Sequence, residues 1–137
     1  MKIVVDTNVL VSALIQPEGI PARILDFILS GQVKIVLDHR IYAEYQDVLL
    51  RPEFGFVPEL VDGLLEFFLQ FGDRVYTIKS SVALPDVYDG KFLEVAIDGS
   101  ADFLVTGNLK HFPRPQRRGV RVASPREFLN LWSEGEG

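Results

Sequence analysis

The sequence predicts an α/β fold, a three-layer α/β/α sandwich around a central, mostly parallel sheet of about five strands. Short β-branched runs alternate with longer apolar or amphipathic segments, and turn-forming residues separate them. Hydrophobic residues make up 47% of the 137 positions, enough to bury a substantial core. Because no linker or shift in composition interrupts the chain, we expect one domain over residues 1–137.

Five short apolar runs are the predicted strands. The first is wholly apolar and β-branched after its initial lysine, which is typical of a strand buried on both faces. Helical segments separate most of the others, as parallel pairing requires. The predicted strands are residues 2–5, 33–37, 74–78, 102–106 and 119–123.

Proline, glycine and capping residues mark the predicted helices. Pro21 opens the second helix and Gly31 closes it. Asp38 is placed to cap the third helix, and Ser124 and Glu127 have the spacing of a capping box at the last one. The predicted helices are residues 9–15, 21–31, 41–50, 58–71, 89–97 and 125–132.

Composition excludes several functional classes. The chain has no cysteine, which excludes a disulfide scaffold, a thiolate metal site and a cysteine nucleophile. No apolar run approaches the roughly 20 residues of a membrane span, and Asp6 interrupts the first apolar run too early for a signal peptide. We therefore expect a soluble cytoplasmic protein. Its formal net charge of −5 means that a polyanion must be held locally, by metal ions or a basic patch.

Four polar side chains from distant parts of the sequence are predicted to meet at one edge of the sheet. Asp6 ends the first strand, Asn108 follows the fourth, and Asp89 begins the helix before the fourth strand. Glu44 lies about one and a half turns into the helix after the second strand. Ligands of such sheets bind beyond the carboxyl ends of the strands, where the strand order reverses. We expect these side chains to line that crevice.

The chemistry of this set suits a hard divalent cation. Carboxylates without cysteine or histidine favour Mg²⁺ or Mn²⁺, which would polarise a phosphodiester and lower the pKa of a bound water. Asp6 is the strongest candidate ligand, because a carboxylate at the end of an apolar strand is costly unless it is paired or bound to metal.

Ordinary roles remain open for the acidic residues. Asp86 and Asp89 could each be a helix N-cap, and Glu44 alone would be typical of a solvated helix face. Asp102 begins a strand at the opposite edge and is excluded from the site. The other acids interpreted as surface residues or caps are Asp38, Asp62, Asp73 and Asp98.

Four sequence motifs resemble, in order, those of PIN domains (named for the PilT N-terminus). The first is VVDTNVLVSA at residues 4–13, in which an apolar strand delivers Asp6 followed by Thr-Asn. The second begins at Glu44, the third covers residues 86–96 and the fourth residues 101–108. A lone Asp-Thr-Asn is a weak signal, but four motifs in order at compatible spacing over nearly the whole chain are a strong one.

The resemblance implies a parallel sheet flanked by helices and metal-dependent nuclease chemistry on single-stranded RNA. It also implies frequent service as the toxin of a VapC-type toxin–antitoxin pair, so that RNA and a cognate antitoxin are the expected partners. Asp6, Glu44 and Asp89 match the acidic metal-binding positions, and Asp86 matches a further one. The positions expected to support the site are Thr7, Asn8 and Thr106.

Asn108 departs from the family pattern, in which many members have aspartate at this position. An amide oxygen can ligate a metal or orient a water, but it brings no negative charge. We therefore predict weaker binding of a second metal ion, with one-metal and two-metal catalysis both open.

Two surface features suggest partners. A basic run after Asn108 provides three predicted contacts to substrate phosphates, Lys110, His111 and Arg114. For the remaining members of that run, Arg117, Arg118 and Arg121, a solvated loop is the alternative, and it is favoured for the first two. The apolar residues of the helix from Pro58, with Phe67 and Leu69 included, cover more of its surface than a single core-facing stripe. Part of this apolar surface is therefore available to form a homodimer or to bind an antitoxin.

Other functional classes compete with the nuclease. A catalytically silent PIN-fold module would hold RNA or a protein without cutting, and Asn108 gives this alternative some weight. A phosphatase-like hydrolase with Asp6 as nucleophile would need a second aspartate two residues on, where this chain has Asn8. A Rossmann-type nucleotide binder lacks its glycine-rich signature after the first strand.

Overall fold

The sheet is fully parallel and has the strand order β3-β2-β1-β4-β5. The computed structural model describes residues 1–76 and 89–136. Ile3 of the central strand pairs with Ile35 on one side and Phe103 on the other. The strands are β1 (Lys2–Val5), β2 (Lys34–Leu37), β3 (Asp73–Arg74), β4 (Phe103–Val105) and β5 (Val122–Ala123).

Helices connect these strands. Within the described residues they are α1 (Thr7–Ile15), α2 (Ile20–Leu29), α3 (His39–Leu49), α4 (Pro58–Phe71), α5 (Gly90–Asp98) and α6 (Pro125–Leu131). None of the helices in these two ranges is long and apolar enough to cross a membrane.

The predicted helix signals are confirmed where the structure describes them. Asp38 caps α3 by accepting hydrogen bonds from the backbone N–H groups of Arg40 and Ile41. Both hydrogen bonds of the capping box between Ser124 and Glu127 are present at α6. Caps are local, so the sequence alone identifies them.

Strand β1 agrees with its predicted run, β2, β4 and β5 are shorter than theirs, and α1 is longer. The fifth strand begins at Val122 rather than Gly119, because only its last residues find a ladder partner in β4. The third strand is assigned to Asp73–Arg74, and the end of its predicted run, residues 77 and 78, lies outside the described residues. Helix α1 begins at Thr7, directly after Asp6, so the carboxylate stands at the turn between strand and helix.

The strand order reverses between β1 and β4. The connections β1 to β2 and β2 to β3 step in one direction, whereas β4 to β5 steps in the other. Crossovers between parallel strands are right-handed. Connections that step in opposite directions along the sheet therefore place their helices on opposite faces. The predicted α/β/α layering is therefore confirmed, and the crevice at the β1–β4 reversal is the place where such sheets bind ligands.

Tyr45 joins the core to this crevice. Its ring is buried against Phe68 of α4, and its hydroxyl donates to the carbonyl oxygen of Val5, the last residue of β1. Burial raises the pKa of the Tyr45 hydroxyl well above its usual range, so the group stays a neutral donor. This bond holds α3, and with it the neighbouring Glu44, against the end of the central strand.

Tyr45→Phe should therefore destabilise the chain by about 1–2 kcal/mol, because it leaves a buried carbonyl without its donor. Urea unfolding of the wild type and the variant measures the difference. Tyr42→Phe on the same helix is the matched control, since Tyr42 is only partly buried. An equal effect of both substitutions would contradict the role given to the Tyr45 hydroxyl.

Candidate active site

Asp6 is the most enclosed carboxylate of the crevice. It is 6% exposed, and its Oδ2 accepts a hydrogen bond of 2.7 Å from the hydroxyl of Thr106, which is itself fully buried. The pKa of Asp6 is raised from 3.8 to about 6, chiefly by burial and in addition by the negative charges of Asp89 and Glu44, while hydrogen bonds from Thr106 and the backbone of Thr7 oppose the rise. An ionised Asp6 is thus held at a cost that a cation would relieve.

Glu44 reaches the crevice from the middle of α3. Its Oε2 accepts a hydrogen bond from the hydroxyl of Thr7, the first residue of α1. Its Oε1 lies 2.6 Å from the ammonium of Lys91 on α5. Three helices therefore meet at this one carboxylate, which is fixed at both oxygens.

Asp89 occupies the N-cap position of α5, but its side chain makes no capping hydrogen bond. Its Oδ2 lies 2.9 Å from Nδ1 of His111, and its side chain is only 14% exposed. The alternative that Asp89 is simply a helix cap is therefore not what the structure shows. Asp86 lies outside the described residues.

Asn8 and Asn108 complete the edge beside Asp6. The Oδ1 of Asn8 accepts from the backbone N–H of Gly107 at 3.2 Å, and the N–H of Asn108 donates to Thr106 Oγ1 at 3.0 Å. Both asparagines line a small cleft of about 240 Å³ between α1 and the segment after β4. The Thr106 hydroxyl thus accepts from Asn108 while donating to Asp6.

The structure brings Asp6, Glu44 and Asp89 close enough to interact electrostatically. The negative charges of Glu44 and Asp89 both raise the pKa of Asp6. Within residues 1–76 and 89–136, however, no three acidic or histidine side chains stand close enough to hold one ion as they are. Lys91 and His111 engage two of the carboxylates instead.

The residues present nevertheless fit a hard divalent cation. The donors are carboxylate and amide oxygens from separate elements at the carboxyl edge, the ligand class of Mg²⁺ and Mn²⁺. A cation beside the buried Asp6 would offset the cost of ionising it, which is the cost that raises its pKa. Mg²⁺ keeps several of its waters, so direct ligation by all three carboxylates is not required.

The basic run after Asn108 divides into two groups. Lys110 and Arg114 are exposed, and His111 is partly exposed beside Asp89. Arg117 and Arg121 act within the fold instead. The Nε of Arg117 donates to the carbonyl of Phe112 at 2.7 Å, and the guanidinium of Arg121 lies 4.1 Å from the centre of the Phe103 ring.

Sequence reasoning missed Lys91 and treated Asp38 only as a cap. Lys91 stands two residues after Asp89, but a lysine in a helix is normally solvated, and only its partner identifies it. Asp38 is 3% exposed and binds Arg40, which also binds Glu94 of α5 at 2.8 Å. This second ion network fastens α3 to α5. Asp102 accepts from the N–H of Lys2 at the amino edge of the sheet, away from the crevice.

The fold is similar to those of several solved assemblies. VapBC-1 from nontypeable Haemophilus influenzae matches with a TM-score of 0.60 at 17% identity, over 92% of this chain and 99% of that one. FitAB bound to an IR36 DNA fragment matches with a TM-score of 0.61 at 20% identity, over 90% and 94%. VapBC2 from Rickettsia felis, bound to a promoter DNA fragment, matches with a TM-score of 0.56 at 18% identity, over 90% and 98%.

The amino-acid sequence is also similar to those of known proteins. An uncharacterized protein of Methanocaldococcus jannaschii, MJ1680, is 27% identical, over 94% of this chain and 90% of its own length. A family model described as PIN domain matches residues 2–110, which include Asp6, Glu44, Asp89 and Asn108. The chain belongs to the PIN-domain family.

Proposed function

We propose that this protein is a Mg²⁺- or Mn²⁺-dependent endoribonuclease that hydrolyses phosphodiester bonds of RNA and serves as the toxin of a toxin–antitoxin pair. The observation that carries the proposal is Asp6, a buried carboxylate at the β1–β4 reversal whose pKa is raised to about 6. The negative charges of Glu44 and Asp89 increase the cost of ionising Asp6, and a bound divalent cation would offset that cost.

Asp6, Glu44 and Asp89 would hold the ion, directly or through its waters, and Asp86 is a further candidate outside the described residues. When bound, the ion supplies charge stabilisation at the phosphoryl group and a water of lowered pKa. The protein orients the carboxylates: Thr106 fixes Asp6, and Thr7 fixes Glu44. These hydroxyls leave little rotational freedom to the acids they bind.

The remaining polar groups would orient substrate. Asn108 is exposed at the cleft, where its amide can position a phosphate or a water without adding negative charge. Lys110, His111 and Arg114 lie on the segment that follows it, and their positive or hydrogen-bonding groups would bind RNA phosphates. These side chains would provide local positive charge for RNA on a chain whose net charge is −5.

An apolar groove would receive the antitoxin. Helices α1, α2 and α4 enclose about 650 Å³ there, and Leu60 is 72% exposed at its rim. The solved structures of similar fold are those of VapBC-1 and FitAB, which supports an antitoxin as the protein partner. Further lining residues are Leu14, Leu25, Leu29, Phe56, Leu64 and Phe67.

The silent binding module remains the second candidate, because Asn108 and the engaged carboxylates Glu44 and Asp89 are compatible with RNA binding without cleavage. The phosphatase-like alternative is weaker. Asn8, which stands where its second aspartate would be needed, is tied to the N–H of Gly107.

Purified protein should cut a labelled single-stranded RNA pool in Mg²⁺ or Mn²⁺ but not in EDTA. Asp6→Asn should lower the rate at least about 100-fold, because it removes the central negative charge. Asp102→Asn, the same change at the opposite edge of the sheet, should cut like the wild type. Folded, partner-free protein that binds RNA but never cuts would favour the silent module.

Without metal, Asp6→Asn should also make the protein more stable at neutral pH. Since the pKa of Asp6 is raised in the folded state, ionising it opposes folding fully above pH 6 and not at all below about pH 4. At pH 8 in EDTA we expect the variant to be more stable by about 3 kcal/mol, a difference that shrinks as the pH falls from 6 to 4.

Urea unfolding at pH 4 and pH 8 measures this difference. Adding Mn²⁺ should raise the stability of the wild type and not that of the variant, since only the wild type has the central ligand. A variant that is less stable than the wild type at pH 8 in EDTA would contradict the cost assigned to Asp6.

Leu60→Asp should disrupt the antitoxin complex, because it places a charge in the apolar groove. The test is size-exclusion chromatography of the chain co-expressed with the protein encoded by the adjacent gene. Ile15→Asp, an exposed apolar position outside the groove lining, is the control. Failure of the wild type to bind that protein would contradict the pairing. The wild type run alone reports whether the chain forms a homodimer.

A further inference from the structure

Lys91 is a cation enclosed within the acidic edge. Its Nζ lies 2.6 Å from Oε1 of Glu44, and its side chain is 12% exposed, less than the 26% of Glu44 itself. The exposed lysine of the basic run, Lys110, lies outside this enclosure. A buried lysine is uncommon unless it is paired, and Glu44 is a partner of Lys91.

The location of Lys91 on its helix is unfavourable by itself. It is the second residue of α5, where the helix dipole is positive and a cation is disfavoured. Its ammonium also lies 5.0 Å from the centre of the Phe92 ring, a cation–π contact that helps to hold it in place. Lys91 therefore holds its positive charge at a helix end that disfavours a cation. Its contacts with Glu44 and the Phe92 ring offset this unfavourable interaction.

Glu44 is held between two donors. The Thr7 hydroxyl binds one carboxylate oxygen and Lys91 binds the other. With Lys91 in place, part of the negative charge of Glu44 is neutralised before any metal binds. Each carboxylate oxygen has a further lone pair, which can accept a hydrogen bond from a water of an ion.

We propose that Lys91 is a positioning residue that acts as a built-in cation of the site, so that the protein recruits one divalent ion rather than two. The inference rests on the proposed metal-dependent function. Among the described carboxylates of the site, Asp6, Glu44 and Asp89 carry three negative charges when ionised, and Lys91 reduces their sum to two, which matches the charge of a single Mg²⁺ or Mn²⁺. The lysine occupies the place at Glu44 that a second ion would otherwise take.

Asn108 supports the same stoichiometry. Asn108 is exposed at the cleft, and its backbone N–H donates to Thr106. Its side chain is a neutral amide, whereas a carboxylate at this position would help to hold a second ion. A charge supplied by lysine and a charge absent at Asn108 act in the same direction, since both lower the attraction for a second cation.

The test is titration of the metal-free protein with Mn²⁺ by calorimetry. We expect one ion per chain in the wild type. Lys91→Met keeps the apolar stem but removes the charge, so it should bind its first Mn²⁺ about tenfold more tightly, while RNA cleavage falls at least about tenfold. Lys91→Arg should restore the wild-type affinity. Lys2→Met, which removes a lysine paired with Asp73, is the control for net charge.

The pattern of binding separates the possible outcomes. Tighter Mn²⁺ binding together with weaker cleavage supports the proposal, because a purely structural role would weaken both. Two ions in the wild type, or unchanged affinity in Lys91→Met, would overturn it and leave the metal nuclease standing. No Mn²⁺ binding by the wild type would overturn the proposed function as well. Lys91→Gln provides a second charge-removing variant should Lys91→Met not fold, as judged by circular dichroism in EDTA.

Discussion

The burial of one carboxylate at the end of the central strand is the constraint on which this site depends. β1 has a paired neighbour on each side, and the residue that follows it, Asp6, is buried beside Thr106 after β4 and at the start of α1. Loss of hydration raises its pKa to about 6. The N-terminal amides of α1 and the Thr106 hydroxyl reduce the cost but do not remove it.

Three hydroxyls connect the apolar core to the acidic edge. Thr106 binds Asp6, Thr7 binds Glu44, and Tyr45 binds the last carbonyl of β1. Thr7 and Tyr45 lie in helices and Thr106 directly follows β4, and all three elements have buried apolar side chains, so the packing of the core sets the positions of the carboxylates. Loss of packing beneath the edge would therefore move the site, even where no acidic residue is changed.

The positive charges near the edge differ in burial, and burial distinguishes their roles. Lys110 and Arg114 are exposed and are available to a polyanion arriving from solvent. Lys91 is enclosed and bound to Glu44, where it changes the charge of the acidic group rather than contacting solvent. Arg117 and Arg121 contact Phe112 and Phe103 within the fold. A count of basic residues would have treated all five as equivalent.

The sequence by itself determined the local features: which runs are strands, which are helices, where the caps lie, and that Asp6 is exceptional. These follow from periodicity, propensity and spacing within a few residues. Tertiary structure decided the strand ends, the burial of Asp38 with Arg40 and Glu94, and the partners of Glu44 and Asp89. Lys91 and His111 meet those acids only because α3, α5 and the segment after β4 converge. Sequence spacing does not encode such contacts between distant segments, since they depend on how the helices pack on the sheet.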